Sequence, residues 1–195
     1  MLQPATPKQQ VKTAIIGLGA NILVNKLSLS ETINSGLSML AGEGVEIQSV
    51  SRFFSTPCFP AGAGPDYVNA AALLRVDMTA KDLLSRMHDI EESLGRERVV
   101  RWGQRTLDID LLAFGDDIAP DLAGYLQWRD LPVEEQSIRA PEQMILPHPR
   151  LQDRAFVLVP MADVAPEWCH PVTGLSTLQM LADLDGDEVA QVRPL

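Results

Sequence analysis

The stretch Leu107-Asp108-Ile109-Asp110-Leu111-Leu112, reached through the basic run Arg96-Glu97-Arg98-Val99-Val100-Arg101-Trp102-Gly103-Gln104-Arg105-Thr106, decides how this chain is read. Leu107, Ile109 and Leu111 fall on one parity and Asp108 and Asp110 on the other. A strand's period of two sends the two sets to opposite faces. One face can enter a core while the other presents two carboxylates. Next-nearest strand positions lie roughly 6 to 7 Å apart at the backbone, so the two side chains can converge on one hard cation. Magnesium suits such a pair, because it takes one or two protein carboxylates together with phosphate oxygens and water. Arg96, Arg98, Arg101 and Arg105 crowd four guanidinium groups into ten positions opposed only by Glu97, and guanidinium forks grip phosphate oxygens. A basic loop leading into an acidic pair describes a site for a polyphosphate carried by metal. The bland alternative is an amphipathic edge strand with solvated aspartates after a solvated basic loop.

That local charge runs against the whole. The chain holds 16 Lys+Arg against 26 Asp+Glu, a formal net charge of -10. An extended basic face is what a nucleic-acid or anionic-membrane binder needs, so no nucleic-acid and no membrane partner is expected, and an anionic substrate requires a local positive trap. With 195 residues, 46% hydrophobic and 22% charged, the composition is that of a globular domain with a sizeable core. No apolar run approaches a membrane span, and Met1-Leu2-Gln3-Pro4-Ala5-Thr6-Pro7-Lys8 lacks a signal peptide's apolar centre, so a cytoplasmic protein is expected. Cys58 and Cys169 stand far apart, which disfavours a disulfide framework or a cysteine zinc site.

Residues 1–11, polar with two prolines, read as a flexible leader before a single domain over 12–195. Lys12 to Ile16 reads as a buried strand that breaks at Gly17-Leu18-Gly19-Ala20-Asn21. A nucleotide-binding glycine loop fails there, since the sixth place of G-x-G-x-x-G is Ile22 and no G-K-[ST] follows. Ser28 with Glu31 forms a capping-box pattern opening a helix whose stripe is Leu29, Ile33, Leu37 and Leu40. Val45 through Phe54 predicts one strand running to Thr56-Pro57, residues 58–65 a loop, and Asp66 to Val76 another strand. Thr79 with Asp82 opens a second helix, its stripe Leu83, Met87, Ile90 and Leu94, ended by Gly95. His88 and Glu91 share a face beside that stripe. Residues from about 116 to 142 read as a long loop or insertion embedding Tyr125 and Trp128. Leu175 to Leu184 reads as a short helix and Glu188 to Val192 as a weak terminal strand. The order β-α-β-β-α-β predicts an α+β fold: a ferredoxin-like sandwich with an antiparallel sheet and additional short elements.

Taken together, Gly17-Leu18-Gly19-Ala20-Asn21, Ser55-Thr56-Pro57, Pro65-Asp66-Tyr67-Val68-Asn69-Ala70-Ala71, Glu91 through Leu94-Gly95-Arg96, Arg101-Trp102-Gly103-Gln104-Arg105-Thr106-Leu107-Asp108-Ile109-Asp110, Leu146-Pro147-His148-Pro149-Arg150 and Arg154-Ala155-Phe156 resemble the hydroxymethyl-dihydropterin pyrophosphokinases. These are folate-pathway enzymes that move pyrophosphate from ATP to a pterin alcohol. The resemblance covers residues 12 to about 170, and R-W-G-x-R-T-L-D-I-D carries most of it.

The resemblance implies two magnesium ions on Asp108 and Asp110, bound with ATP. It places Arg96, Arg98 and Arg105, with Asp110, in the catalytic role, the arginines meeting the phosphates as their loop closes over them with Arg101 and Trp102. His88, Glu91, Ile109, Leu111, His148 and Arg154 are implied on the nucleotide side. Thr56, Pro57, Phe59, Tyr67, Asn69, Trp102, Asp108 and Phe156 are implied around the pterin, Asn69 meeting its amide edge and Tyr67 and Phe156 its ring. ATP and hydroxymethyl-dihydropterin are the implied partners, and a monomer or weak dimer the implied state. Ala20 and Gln104 depart from a frequent Ser and Pro, and the 116–142 segment is longer than in compact members. Trp128 and its neighbours are expected over the outside of the nucleotide cleft or on a self-association surface. The alternative from another class is an inactive pterin- and nucleotide-binding paralogue with a regulatory role.

Overall fold

A long central strand with partners on both edges organises the molecule. The computed structural model describes residues 10–23, 26–58, 64–95, 106–132, 135 and 138–195. Among these, β1 (Lys12–Ala20), α1 (Leu29–Leu40), β2 (Val45–Val50), β3 (Phe54–Thr56), β4 (Tyr67–Val76), α2 (Ala80–Ser93) and β5 (Asp108–Phe114) are followed by α3 (Leu122–Arg129) and a 3-10 turn, Leu151–Asp153. The chain then adds α4 (Ala155–Val164), α5 (Thr177–Ala182), α6 (Gly186–Ala190) and a two-residue β6, Arg193–Pro194.

β1 lies antiparallel between β5 and β4, and the far edge of β4 pairs with β2 along Ala72 to Val76 and with β3 along Tyr67 to Asn69. Residues 45–56 thus act as one bent second strand. The sheet has the ferredoxin-like order, fourth, first, third, second, extended at its outer edge by β6 on β3. The predicted unbroken strand yields to a bend because Ser51 leaves the ladder. Its N–H reaches the Ala71 carbonyl at 2.9 Å while its hydroxyl accepts the Ala71 N–H at 2.9 Å.

Both predicted caps form. Ser28 Oγ accepts the Glu31 N–H, Glu31 Oε2 accepts the Ser28 N–H at 2.7 Å, and Thr79 Oγ1 accepts the Asp82 N–H, satisfying donors that a helix start otherwise leaves bare. α1 and α2 cover one face of the sheet. Their buried stripes close on Ile16, Leu18, Val68, Ala70, Leu74, Ile109 and Leu111. On the other face, α4 packs on Ile15, Ala71, Leu112 and Ala113 through Val157, Leu158 and Met161, with Met180 of α5 behind it. A bulge between Ile15 and Ile16 lets β5 place both Leu112 and Ala113 on that face.

Three further expectations are corrected. β1 does not stop at the glycines but runs through Gly17 and Gly19 to Ala20, because Leu18 and Ala20 keep its alternation buried on the helix side. The 116–142 segment is not loop throughout: Asp121 caps α3, accepting the Gly124 N–H at 2.8 Å. The C-terminal strand expected over 188–192 is instead the helical turn α6, capped by Asp185, with β6 beginning only at Arg193. The proposed leader, residues 1–11, lies outside the described residues up to residue 9. None of the described helices is long and apolar enough to cross a membrane.

Candidate active site

The register of three strands builds the floor of the site. Asp108 pairs with Gly19, and Gly19 with Asn69; Asp110 pairs with Gly17, and Gly17 with Ala71. Paired positions face the same way, so Asp108, Gly19 and Asn69 form one row across β5, β1 and β4. α4 packs on the neighbouring part of this face, at Ile15, Ala71, Leu112 and Ala113, and reaches Phe54, the partner of Asn69, through Ala155 and Val159. Two strand spacings separate Asp108 from Asn69, roughly 9 to 10 Å, and the middle position carries no side chain. A Cβ on Gly19 would stand 3.1 Å from Asn69 Oδ1, so the glycine is what leaves the amide oxygen open over the floor. The sequence reading treated these glycines as a turn. The signal that identifies them is the parity of Ile16, Leu18 and Ala20, which puts Gly17 and Gly19 on the aspartates' face.

The Asn69 side of the floor is held by polar pairing. Asn69 and Thr56 are both buried, and Asn69 Nδ2 donates to Thr56 Oγ1 at 2.7 Å. That bond fixes which end of the amide is turned away, and a buried amide without such a partner would be costly. Tyr67 opposes Thr56 across the ladder and is half-buried, while Pro57 is exposed. Phe156, in the first turn of α4, is 40% exposed and carries the Arg154 guanidinium 5.5 Å from its ring centre. Phe59 lies outside the described residues.

On the acidic side, Asp108 and Asp110 are half-buried, while Ile109 and Leu111 are buried with α1 and α2. Strand alternation directs the Ile109 and Leu111 side chains into the core, so the nucleotide-side role that the resemblance implies for them falls to their backbone. Glu91 and His88 also part company. Glu91 is fully buried, with Oε1 accepting the Ile109 N–H at 2.7 Å, whereas His88 is exposed on α2. Arg96, Arg98, Arg101, Trp102 and Arg105 lie outside the described residues.

His148 lies against β5, its N–H donating to the Leu112 carbonyl at 2.8 Å. Burial, with Arg154 and Arg150 adding to it against the opposing pull of Asp108, brings its pKa down to about 3. The ring is therefore neutral near pH 7. Nδ1 accepts the Arg150 N–H at 3.2 Å, which assigns the proton to Nε2. The electrostatic reach among His148, Asp108, Arg150 and Arg154 puts one carboxylate, one neutral donor and two cations on the same side of the floor. Arg150 was not among the expected site residues. Its signal in the sequence is its place in Leu146-Pro147-His148-Pro149-Arg150.

Among the described residues, no three His, Cys, Asp or Glu side chains are grouped to hold a metal. Asp108 and Asp110 are thus a two-carboxylate set, which matches magnesium completed by phosphate oxygens and water rather than a full protein cage.

The profile of the 7,8-dihydro-6-hydroxymethylpterin-pyrophosphokinases matches residues 15–166. The chain belongs to this family. It is 34% identical over 193 residues to the 2-amino-4-hydroxy-6-hydroxymethyldihydropteridine pyrophosphokinase of a Synechocystis species, covering 99% of this chain and 87% of that one. The enzyme of the same name from Methylorubrum extorquens is 30% identical, covering 92% of this chain and 98% of that one. Among solved structures, Plasmodium falciparum HPPK-DHPS crystallised with pterin and p-hydroxybenzoate superposes with a TM-score of 0.64 at 12% identity, over 91% of this chain. That likeness shows the ferredoxin-like fold alone, and the chain spans 44% of the longer protein. The pyrophosphokinase profile contains the Asp108, Gly19, Asn69 row, His148 and Phe156, and ends just past α4.

Proposed function

We propose that this chain catalyses its family's reaction on the floor described above: ATP-dependent transfer of pyrophosphate to the hydroxymethyl group of 6-hydroxymethyl-7,8-dihydropterin, releasing AMP, in folate biosynthesis. The observation that carries the reading is the Asp108, Gly19, Asn69 row, an acid and an amide facing the same open floor across a residue with no side chain. A flat heterocycle with a polar edge needs fixed donors and acceptors at that edge and aromatic faces beside its ring. Asn69, oriented by Thr56, supplies the edge; Tyr67 and Phe156 supply the faces.

The pterin hydroxyl oxygen forms a bond to the β-phosphorus of ATP, the bond from that phosphorus to the oxygen bridging the α-phosphate breaks, AMP departs, and the hydroxyl proton is released. Phosphoryl chemistry of this kind asks chiefly for alignment and neutralised charge. Asp108 and Asp110 would hold two magnesium ions, which when bound supply neutralisation of phosphate charge. His148, as a neutral Nε2–H donor, and Arg154 and Arg150, as cations, would orient the phosphate oxygens. Arg96, Arg98, Arg101, Trp102 and Arg105 would close over the phosphates in the same reading. A cytoplasmic location and a monomer or weak dimer complete it.

Incubating the pure chain with magnesium, ATP and hydroxymethyl-dihydropterin should yield AMP in step with pterin diphosphate. ADP as the nucleotide product, or no nucleotide turnover, would overturn the assignment.

A further inference from the structure

Within the 116–142 segment, α3 is anchored through one side chain. Tyr125 is the only buried residue of α3, and it and His170 are both fully buried. Tyr125 Oη and His170 Nε2 stand 2.9 Å apart. His170 Nδ1 accepts the N–H of Val172 at 3.1 Å and of Thr173 at 3.4 Å, so the ring proton sits on Nε2 and is donated to the tyrosine oxygen.

The two partners end different arms of the molecule, and both arms lead to the phosphate side of the site. From Tyr125, α3 begins at Asp121 against Pro120, whose ring leaves no room for a side chain at Gly124: a Cβ there would be 2.8 Å from Pro120 Cγ. Ala119 then exchanges two backbone hydrogen bonds with Leu146, at 3.0 and 3.1 Å, two residues before His148. From His170, Trp168 packs edge-on to the imidazole and its N–H returns to the Ala165 carbonyl at 3.2 Å, at the end of α4, the helix whose first residue follows Arg154. The phenol also lies within the electrostatic reach of Arg129 and of Asp153, the neighbour of Arg154.

We propose that the Tyr125–His170 hydrogen bond is a brace that holds His148 and Arg154 in the geometry that receives the nucleotide phosphates, making Tyr125 a positioning residue for ATP but not for the pterin. The proposal rests on the functional reading above. It requires no contact between the insertion and either substrate. Asn69, Thr56 and Tyr67 belong to β3 and β4, which neither arm includes, so the polar edge of the pterin site keeps its partners; of the pterin residues only Phe156, in the first turn of α4, lies on an arm.

Tyr125→Phe removes one oxygen and keeps the packing. Binding of a non-hydrolysable ATP analogue with magnesium should weaken about 3- to 10-fold, within the range of coupling carried by packed networks, and the KM for ATP should rise in parallel. The KM for the pterin should stay within about 2-fold. Gly124→Ala, which pushes α3 off Pro120 and so shifts Tyr125 against His170 while keeping both side chains, should show the same split. If both variants lose thermal stability but keep wild-type ATP affinity, or weaken both substrates alike, the brace is purely structural and the proposal falls. Absence of AMP formation by the wild-type chain would instead remove the functional reading itself, which separates the two failures.

Discussion

Glu91 Oε1 accepts the backbone N–H of Ile109, the residue between Asp108 and Asp110, at 2.7 Å. A buried carboxylate on α2 thereby pins the start of the strand that carries both site acids. Glu91→Ala leaves that N–H buried without an acceptor, which costs about 1 to 3 kcal/mol. The expected outcome is a lower unfolding midpoint together with a loss of turnover larger than the loss of pterin affinity. Glu91→Gln keeps a carbonyl oxygen for Ile109 and should recover most of the stability. Equal losses in the two variants would show that the charge of Glu91, not its hydrogen bond, matters.

Asp110 faces the floor opposite Gly17. Asp110→Ala removes one of two carboxylates offered to the cation and should reduce turnover by about 100-fold or more, on the scale of losing a preorganised electrostatic group at a transferring centre. Pterin binding, measured without nucleotide, should be nearly unchanged. Chelation of divalent metal should abolish AMP formation and added magnesium restore it. A variant with normal turnover would refute the metal assignment.

The period-two pattern of β5 and the two capping signals were readable because each is a local rule with a steric or hydrogen-bonding cause. The ferredoxin-like order followed from them. What local patterning could not reveal were features decided across the sheet. The parity of Ile16, Leu18 and Ala20 can carry the strand through Gly17 and Gly19, but why those positions lack side chains shows only once Asp108 and Asn69 are placed on either side of Gly19. The bend at Ser51 depends on a hydrogen bond to Ala71, 20 residues away. α3 buries only Tyr125, so it has no apolar stripe to detect, and its partner His170 lies 45 positions further on. For Ile109 and Leu111 the alternation already placed the side chains in the core, which leaves to their backbone the nucleotide-side role that the family resemblance implies.

Gly19 predicts a specificity effect. The methyl group of Gly19→Ala would stand 3.1 Å from Asn69 Oδ1, and Asn69 cannot swing aside without giving up the 2.7 Å bond to Thr56. The KM for the pterin should rise about 10-fold or more, the scale of one disrupted hydrogen-bonding group at a polar edge, with the ATP constant moving far less. Thr56→Val should act in the same direction through the other end of the amide. Pterin affinity unchanged in both variants would remove Asn69 from the binding edge.

The Tyr125–His170 pair makes a prediction about pH. Burial pulls the His170 pKa down to about 4 and pushes the Tyr125 phenol up to about 12. Between pH 6.5 and 4 the unfolded chain therefore binds a proton at His170 that the folded chain refuses. Stability is whole above pH 6.5 and declines as the pH falls, by about 1.4 kcal/mol per unit of displacement, so on the order of 3 kcal/mol by pH 4. On the alkaline side the phenol keeps its proton in the folded state while the unfolded chain loses it, so stability declines again as the pH rises from 10 toward 12. Urea midpoints measured at pH 7.5 and pH 5 should differ in the wild-type chain. His170→Gln should be less stable at pH 7.5 and about half as steep between the two, because His148, whose pKa burial brings down to about 3, still takes up a proton on unfolding. A slope as steep as that of the wild type would place the acid sensitivity elsewhere in the fold.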